Sequence, residues 1–189
     1  MYLVVGLGNP GKEYRETRHN LGFRVLEELY RGDWEEGDLY RYAEWELEGM
    51  PVVLIEPLTY MNRSGLAVGD AVERWGMTPE EVLVVLDDVN LPLGRLRLRM
   101  KGSDGGHRGL ASVIEALGSE CFPRLRLGVG RPEDGDLVKY VLSPFDEEEL
   151  QVVREMVEGA AEAVRRFVRE GPEAAMRWAN TLGAGKEGK

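Results

Sequence analysis

His19 and Asp87 are the two side chains in the sequence that best suit acid–base chemistry. His19 stands just before a segment with helical periodicity, and Asp87 directly follows an apolar run. A neutral imidazole can take a proton from water, and a carboxylate beside it fixes its tautomer and stabilises the imidazolium. The pair therefore indicates hydrolysis by an activated water. The alternative is a structural role, because a histidine near a helix start is often a cap.

A protein nucleophile is not expected. The sequence has no Gly-x-Ser-x-Gly segment, and its one cysteine, Cys121, lies beside a proline in a predicted loop without an evident base. One cysteine cannot form an internal disulfide, and there is no Cys-x-x-Cys pair. The two histidines, His19 and His107, are too few for a histidine-rich metal cluster. The residues therefore offer neither a zinc site of paired cysteines nor a histidine-rich metal cluster.

The segment from Gly6 to Gly11 has the pattern Gly-x-Gly-x-x-Gly, which is typical of dinucleotide-binding proteins. That function needs a helix that opens at the third glycine, so that its N-terminus meets a pyrophosphate. Here Pro10 favours extended backbone at Asn9, and no apolar stripe follows until Leu21. We therefore interpret the glycines as shaping a loop that presents Asn9.

Apolar periodicity predicts the elements that position these side chains. Continuous or alternating apolar runs predict strands, and apolar residues three and four positions apart predict helices. The predicted strands cover residues 2–5, 40–47, 52–55, 82–86, 96–100 and 125–129. The predicted helices cover residues 20–30, 64–75 with Ser64 as N-cap, 110–117, 145–170 and a short segment ending near 182. This alternation indicates a single α/β domain whose mixed, largely parallel sheet is flanked by helices.

Polar side chains cluster where predicted strands end or predicted helices begin. They are Asn9, His19, Asn62, Asp87 and His107. Ligands of open α/β sheets bind outside the carboxyl ends of the strands, so we expect Asn9, Asn62 and Asp87 to converge on one crevice with His19. Asparagines at strand ends also commonly close turns, and this alternative stays open here.

Length and composition fit one folded domain. The chain has 189 residues, of which 43% are hydrophobic and 31% charged, so it can bury its own core and is unlike a disordered chain. We predict a domain over residues 1–182 and a loose tail over 183–189. No apolar run reaches the roughly 20 residues of a membrane helix, and the start lacks the basic segment of a signal peptide. We therefore expect a cytoplasmic protein without membrane contact.

Charge is distributed unevenly along the chain. The net charge is −10, but residues 94–131 contain eight basic and three acidic side chains, which gives this segment +5 and the remainder −15. A basic region on an acidic protein suits a polyanionic partner that is bound at one place. The alternative is an ordinary solvated strand, because Arg95, Arg97 and Arg99 alternate with apolar residues.

Four blocks of sequence resemble bacterial peptidyl-tRNA hydrolases. The blocks are VVGLGNPGKEYRETRHNLGF (4–23), PLTYMNRSG (57–65), VVLDDVNLPLGRLRLRMKGSDGGHRGL (84–110) and FPRLRLGVGRP (122–132). The resemblance implies a monomeric, metal-free enzyme without a cofactor. It also implies the reaction, which is cleavage of the ester bond between a prematurely released peptide and the terminal ribose of its tRNA.

The resemblance implies roles for individual residues. His19 stands where the family has its catalytic base, and Asp87 stands where it has the partner carboxylate. The implied substrate-binding residues are Asn9, Tyr14, Tyr60 and Asn62, and we expect Arg108 to contact the substrate as well. Arg99 and Arg126 are implied to lie near the tRNA 5′-phosphate. The implied partner is peptidyl-tRNA, bound through its acceptor stem and 3′ end.

Two positions depart from the family pattern. Arg108 stands where many members have asparagine after Gly-Gly-His, and Asp136 stands where a lysine often joins the basic patch. Neither departure removes the base or its carboxylate. Two other functions stay open, namely an RNA-binding module without catalysis, as in related splicing proteins of plant organelles, and an esterase for small molecules. The presence of the base, its carboxylate and both asparagines favours an enzyme over the RNA-binding module.

Overall fold

A seven-stranded mixed sheet forms the centre of the computed structural model, which describes residues 1–182. The strands are β1 (Tyr2–Gly6), β2 (Glu35–Glu36), β3 (Tyr40–Leu47), β4 (Met50–Pro57), β5 (Val82–Asp88), β6 (Leu96–Arg99) and β7 (Arg124–Gly128). Their order is β2-β3-β4-β1-β5-β7-β6. The strands β4, β1, β5 and β7 are parallel to one another, whereas β2, β3 and β6 pair in antiparallel fashion. The predicted single α/β domain with a mixed, largely parallel sheet is confirmed.

Helices cover both faces of this sheet. In the described part of the chain they are α1 (Leu21–Leu29), α2 (Ser64–Trp75), α3 (Arg108–Leu117), α4 (Leu137–Val141), α5 (Leu150–Glu170) and α6 (Pro172–Thr181). Apolar side chains of α1, α5 and α6 pack on one face, and those of α2 and α3 pack on the other. None of the helices within residues 1–182 combines the length and hydrophobicity that crossing a bilayer requires.

The central strand β5 delivers Asp87 to the edge of the sheet. Every residue of β5 is buried, because helices cover both faces of its parallel surroundings. Val84 and Leu86 pack towards α2 and α3, whereas Leu83 and Val85 pack towards α1 and α5. The strand runs two residues beyond its predicted end and includes Asp87 and Asp88. Asp87 is therefore held by a strand rather than by a loop.

Two glycines let β1 and the start of α1 meet backbone to backbone. A Cβ atom on Gly6 would lie 2.4 Å from the carbonyl oxygen of Gly22, and one on Gly22 would lie 2.4 Å from the Leu7 nitrogen. No larger residue fits at either position unless the strand or the helix moves.

Only a three-residue 3-10 turn, Lys12–Tyr14, directly follows Gly11. The segment is thus a loop rather than the opening of a dinucleotide-binding helix, as the sequence indicated.

Two predicted helix starts are wrong because of the local structure that precedes each helix. Ser64 is the first residue of α2 rather than its N-cap, and its hydroxyl donates to the Met61 carbonyl in a preceding 3-10 turn. The helix α3 begins at Arg108, two residues earlier than predicted. It does so because the His107 side chain accepts the N–H of Leu110 and caps the helix.

The C-terminal part differs from prediction mainly before α5. This helix begins at Leu150 rather than at residue 145, because Asp146 and Glu149 form the capping box of a 3-10 turn, Glu147–Glu149, that precedes it. Leu150 is exposed, and the buried face of α5 begins at Val153. The sequence analysis also missed β2 and α4, neither of which buries a side chain. The last helix ends near 182 as predicted, and the tail predicted over 183–189 lies outside the described residues.

One glutamate is buried in the sheet away from these loops. Glu56 on β4 is 1% exposed, and its Oε1 lies 3.4 Å from Arg41 Nε on the neighbouring strand. Among the described residues, its Oε2 has no hydrogen-bond partner. Burial, followed by the nearby charge of Glu27, raises the pKa of Glu56 to about 8, although Arg41 opposes this shift.

This raised pKa predicts that Glu56 weakens the fold as pH rises. A carboxyl whose pKa is higher in the folded chain takes up a proton on folding. The free energy of unfolding therefore falls as pH rises from about 4.5 to about 8. We expect Glu56→Gln to stabilise the protein by about 1 to 3 kcal/mol more at pH 8 than at pH 5, measured by denaturant unfolding. Glu44→Gln, at an exposed site on β3, is the control. An equal effect at both pH values would show that Glu56 is ionised beside Arg41.

Candidate active site

A cleft at the carboxyl edge of the parallel strands collects the residues that the sequence analysis selected. It encloses about 240 Å³. Its lining includes Asn9, His19, Tyr60, Asn62, Asp87, His107 and Arg108. The structure therefore brings Asn9, Asn62 and Asp87 together with His19, although the chain separates them widely. Tyr14 does not line the cleft; its ring packs edge-on against Tyr60, with 6.4 Å between the centroids.

His19 and Asp87 form a hydrogen-bonded pair in this cleft. His19 lies in a 3-10 turn directly before α1, and its Nδ1 is 2.8 Å from Asp87 Oδ2. Burial raises the pKa of Asp87, but the charges and hydrogen bonds of His19 and His107 together outweigh burial and hold that pKa well below its usual range. Ionised Asp87 accepts a hydrogen bond from Nδ1–H. This leaves Nε2 as the ring nitrogen of His19 with a free lone pair.

His107 binds the other oxygen of the same carboxylate. Its Nε2 lies 3.0 Å from Asp87 Oδ1, and its Nδ1 accepts the backbone N–H of Leu110 at 3.2 Å. A nitrogen that accepts a hydrogen bond carries no proton in the neutral ring, so Nε2 is protonated and donates to Asp87. The start of α3 thereby fixes the tautomer of His107. The sequence pattern grouped His107 with the other polar side chains at element ends but gave it no role; its place three residues before a predicted helix was the available signal.

Asn9 is held so that its amide nitrogen is free for a ligand. Its backbone N–H donates to Asn20 Oδ1, and Asn20 Nδ2 donates to the Asn9 carbonyl, both at 2.9 Å. Its side-chain Oδ1 accepts the backbone N–H of Met61 at 2.6 Å, which fixes the orientation of the amide because a backbone N–H can only donate. Asn9 lines the cleft. Its Nδ2 group is therefore the donor that it can offer there.

Tyr60 and Asn62 belong to a tight turn after β4. Tyr60 has φ 63° and ψ 156°, a backbone conformation that is almost confined to glycine. The 3-10 turn Met61–Arg63 follows and leads into α2. Tyr60 is 53% exposed, and Asn62 is also exposed. The turn therefore presents an aromatic ring and an amide at the mouth of the cleft.

An apolar wall, which the sequence analysis missed, forms another side of the cleft. It consists of Leu137, Val138 and Val141 of α4 together with Leu142. Val138 is 56% exposed, and Leu137 and Leu142 are also exposed. The apolar composition of the segment was its only sequence signal. It gives the cleft a surface suited to an apolar group beside the polar residues.

The basic segment is less uniform than the sequence indicated. Arg124 is fully buried and Arg95 is 8% exposed, so neither belongs to a basic surface. Arg124 instead binds backbone carbonyls, and burial lowers its pKa to about 10. Arg126 lies 3.6 Å from Asp88, with one fifth of its side chain exposed, whereas Arg99 at the end of β6 is exposed. Alternation along a strand shows which side chains share a face but not what covers that face.

The arrangement of His19, Asp87 and His107 also has the composition of a metal site. Their ligand atoms lie within 4.8 Å of one another. However, the two imidazole nitrogens lie at hydrogen-bond distance from Asp87, 2.8 and 3.0 Å. A metal ion would have to replace both hydrogen bonds, which orient the carboxylate and fix the tautomers. The geometry of these residues fits acid–base chemistry.

Known proteins resemble this chain over nearly its whole length. Residues 3–187 match the family model of peptidyl-tRNA hydrolase. A peptidyl-tRNA hydrolase of Aquifex aeolicus is 49% identical over 184 residues, which cover 94% of this chain and 95% of the relative. One from Caldanaerobacter subterraneus is 48% identical over 180 residues, covering 93% and 97%. The crystal structure of peptidyl-tRNA hydrolase from Acinetobacter baumannii superposes with a TM-score of 0.91 at 33% identity, covering 96% of this chain and 95% of that chain. The chain belongs to the peptidyl-tRNA hydrolase family.

Proposed function

We propose that His19 is the general base with which this protein hydrolyses peptidyl-tRNA. The hydrogen bond between His19 Nδ1 and Asp87 carries the proposal, because it leaves Nε2 unprotonated in a cleft open to substrate. Water attacks the ester carbonyl carbon as Nε2 accepts its proton. The imidazolium then gives that proton to the departing ribose oxygen, which yields free tRNA and a peptide acid. Ionised Asp87 stabilises the imidazolium between these two steps.

We assign the oxyanion contact to Asn9. Its Oδ1 is already bound to the Met61 N–H, so the side chain meets the cleft as a donor. A donor of this kind stabilises the charge that develops on the carbonyl oxygen, and its loss typically costs about 10²- to 10³-fold in rate. Asn62, exposed in the next turn, is proposed to bind the peptide backbone or the terminal adenosine.

We assign further substrate contacts to the residues around the cleft mouth. Tyr60 offers its exposed ring, and Tyr14 supports that ring from outside the cleft. Arg108 is exposed at the first position of α3 and lines the cleft. Because arginine has donors only, it suits a phosphate or carbonyl near the acceptor end rather than the acceptor role open to asparagine. All these groups come from one chain, so we propose a monomer as the active form.

Two tRNA substrates test the function directly. The protein is incubated with N-acetyl-aminoacyl-tRNA and with the same aminoacyl-tRNA carrying a free amino group. Release of free tRNA from the blocked substrate alone is the expected result. Binding of both tRNAs without release would favour an RNA-binding module, and cleavage of simple esters with no tRNA cleavage would favour a small-molecule esterase.

Arg99 is proposed to contact a phosphate of the acceptor stem together with Arg126, which lies on the neighbouring strand β7 opposite Arg97. We predict that Arg99→Ala raises KM for N-acetyl-aminoacyl-tRNA and reduces the slope of log KM against log salt by up to about one unit, because one ion contact is lost. Arg126→Ala should have the smaller effect, since Asp88 already pairs with this arginine. Cleavage of a minimal ester bearing only the terminal adenosine is the control. Equal losses on both substrates would show that these arginines support the fold instead.

A further inference from the structure

Arg18 is a buried cation that binds the segment following the apolar wall. It is 4% exposed. Its Nη1 lies 3.5 Å from the Tyr140 carbonyl, 3.4 Å from that of Ser143 and 2.7 Å from that of Pro144. Its Nη2 donates to Glu149 Oε1 at 2.9 Å, and its guanidinium carbon lies 4.1 Å from the centroid of the Tyr140 ring. The Arg18 side chain thus connects the C-terminal end of α4 to the residues directly before α5.

The backbone strengthens the same connection. The Arg18 N–H donates to the Ser143 carbonyl at 3.0 Å, and Thr17 forms an antiparallel bridge with Pro144. The 3-10 turn that begins at Arg18 includes His19 as its second residue. The turn that carries the proposed base is therefore joined to the segment that carries the apolar wall.

The helix α4 has little packing of its own. It is five residues long and buries none of its side chains. A helix of this length is not stable by itself in water, so tertiary contacts must hold it. The Arg18 guanidinium binds the carbonyls of Ser143 and Pro144, which directly follow the helix, and its charge at this end matches the direction of the helix dipole.

We propose that Arg18 is a positioning residue that holds the apolar wall at a fixed place relative to His19. Through that wall it sets the affinity of the cleft for an apolar amino acid at the ester end of the peptide. The inference rests on the proposed function, because the esterified amino acid is the part of the substrate next to the base. Arg18 touches neither His19 Nδ1 nor Asp87 through any of its polar contacts described above.

This arrangement predicts an effect that depends on the esterified amino acid. If the wall is displaced, it loses apolar contact with a large side chain of the esterified amino acid. An esterified glycine has no side chain, so no such contact can be lost. The His19–Asp87 hydrogen bond does not include the Arg18 side chain, so the proton transfer itself should continue. Substitution of Arg18 should therefore raise KM for a substrate with an apolar esterified amino acid, and it should leave kcat for the glycyl substrate unchanged.

The test compares N-acetyl-phenylalanyl and N-acetyl-glycyl esters on one and the same tRNA. Lysine at position 18 keeps the charge but lacks the planar fork in which one nitrogen binds the carbonyls and the other binds Glu149. We expect Arg18→Lys to raise the ratio of KM for the phenylalanyl ester to KM for the glycyl ester about five-fold. The kcat for the glycyl ester should stay within about two-fold of wild type. An unchanged KM ratio in the folded variant would overturn the proposal.

Hydrogen exchange gives a second readout that does not depend on activity. Amides of residues 137–145 should exchange faster in Arg18→Lys than in wild type, and unchanged exchange in this segment would also overturn the proposal. If Arg18→Lys does not fold, Glu149→Gln serves instead, because it removes the ion pair and keeps the carbonyl contacts. It should raise the KM ratio about two-fold, and no rise would count against Arg18.

Arg124→Lys is the matched control. Arg124 is also buried and also binds backbone carbonyls, those of Phe122, Gly102, Ser103 and Glu120, none of which lies in α4. It should lower thermal stability without changing the KM ratio. An equal change in that ratio would mean that any loosening of the fold has this effect, and the proposal would be wrong. If wild type cleaves neither ester, the proposed function fails, while the exchange measurement still decides whether Arg18 holds α4.

Discussion

Replacing His19 by alanine should lower kcat for N-acetyl-aminoacyl-tRNA by about 10²- to 10⁴-fold and leave tRNA affinity close to that of wild type. The variant loses the lone pair at Nε2 that takes the proton from water, but it keeps Asn9 and the other groups that bind the substrate. Multiple-turnover cleavage at saturating substrate measures kcat, and competition by deacylated tRNA measures affinity. Near-normal turnover in this variant would contradict the assignment of the base.

His107→Ala is the matched control for this experiment. It removes a second imidazole from the same carboxylate, yet both nitrogens of His107 are already occupied by Asp87 and by the Leu110 N–H. His107 therefore has no free lone pair with which to activate water. We expect its loss to reduce kcat far less than the loss of His19. The opposite order would assign the base to His107.

Asp87→Asn should also lower kcat by about 10²- to 10⁴-fold, because both histidines donate a hydrogen bond to this side chain. An amide accepts with its oxygen and donates with its nitrogen, so it cannot accept from both rings as the carboxylate does. The Leu110 N–H keeps His107 protonated at Nε2, which requires the amide oxygen on that side. The amide nitrogen then faces His19 Nδ1, the proton of His19 moves to Nε2, and the base is lost.

The hold of His107 on the amide oxygen predicts a rescue by a second substitution. In the double variant Asp87→Asn with His107→Ala, nothing holds the amide oxygen away from His19. The amide can rotate, accept from Nδ1–H and restore the free lone pair at Nε2, although it cannot stabilise the imidazolium by charge. We expect kcat to recover about ten-fold relative to Asp87→Asn alone, measured on the blocked tRNA. A double variant slower than both single variants would contradict the tautomer argument.

The sequence predicted the parts of the site that depend on local pattern. His19 and Asp87 could be selected by side-chain chemistry and by their places beside periodic segments, and the strand-end rule placed Asn9 and Asn62 with them. The wall on α4 and its tie to Arg18 could not be predicted in this way. The polar contacts of the Arg18 side chain join positions that are 122 to 131 residues apart, and no periodicity within one segment reports such a pairing.

Burial of charged residues was the other feature that the sequence did not reveal. Arg124 and Arg99 look alike along their strands, yet one is fully buried and the other exposed. What separates them is the loop over Arg124, whose carbonyls at Gly102 and Ser103 accept from its guanidinium. The position of that loop depends on the packing of the whole domain.

The backbone of Tyr60 has a consequence for how this protein responds to selection. A tyrosine at φ 63° and ψ 156° carries a conformational cost of about 1 to 3 kcal/mol, which glycine would not carry. Variants screened only for survival of heat should therefore accumulate glycine at position 60. Variants screened for growth that depends on clearing peptidyl-tRNA should keep the aromatic ring. Selection for heat resistance and selection for turnover should therefore favour different residues at position 60.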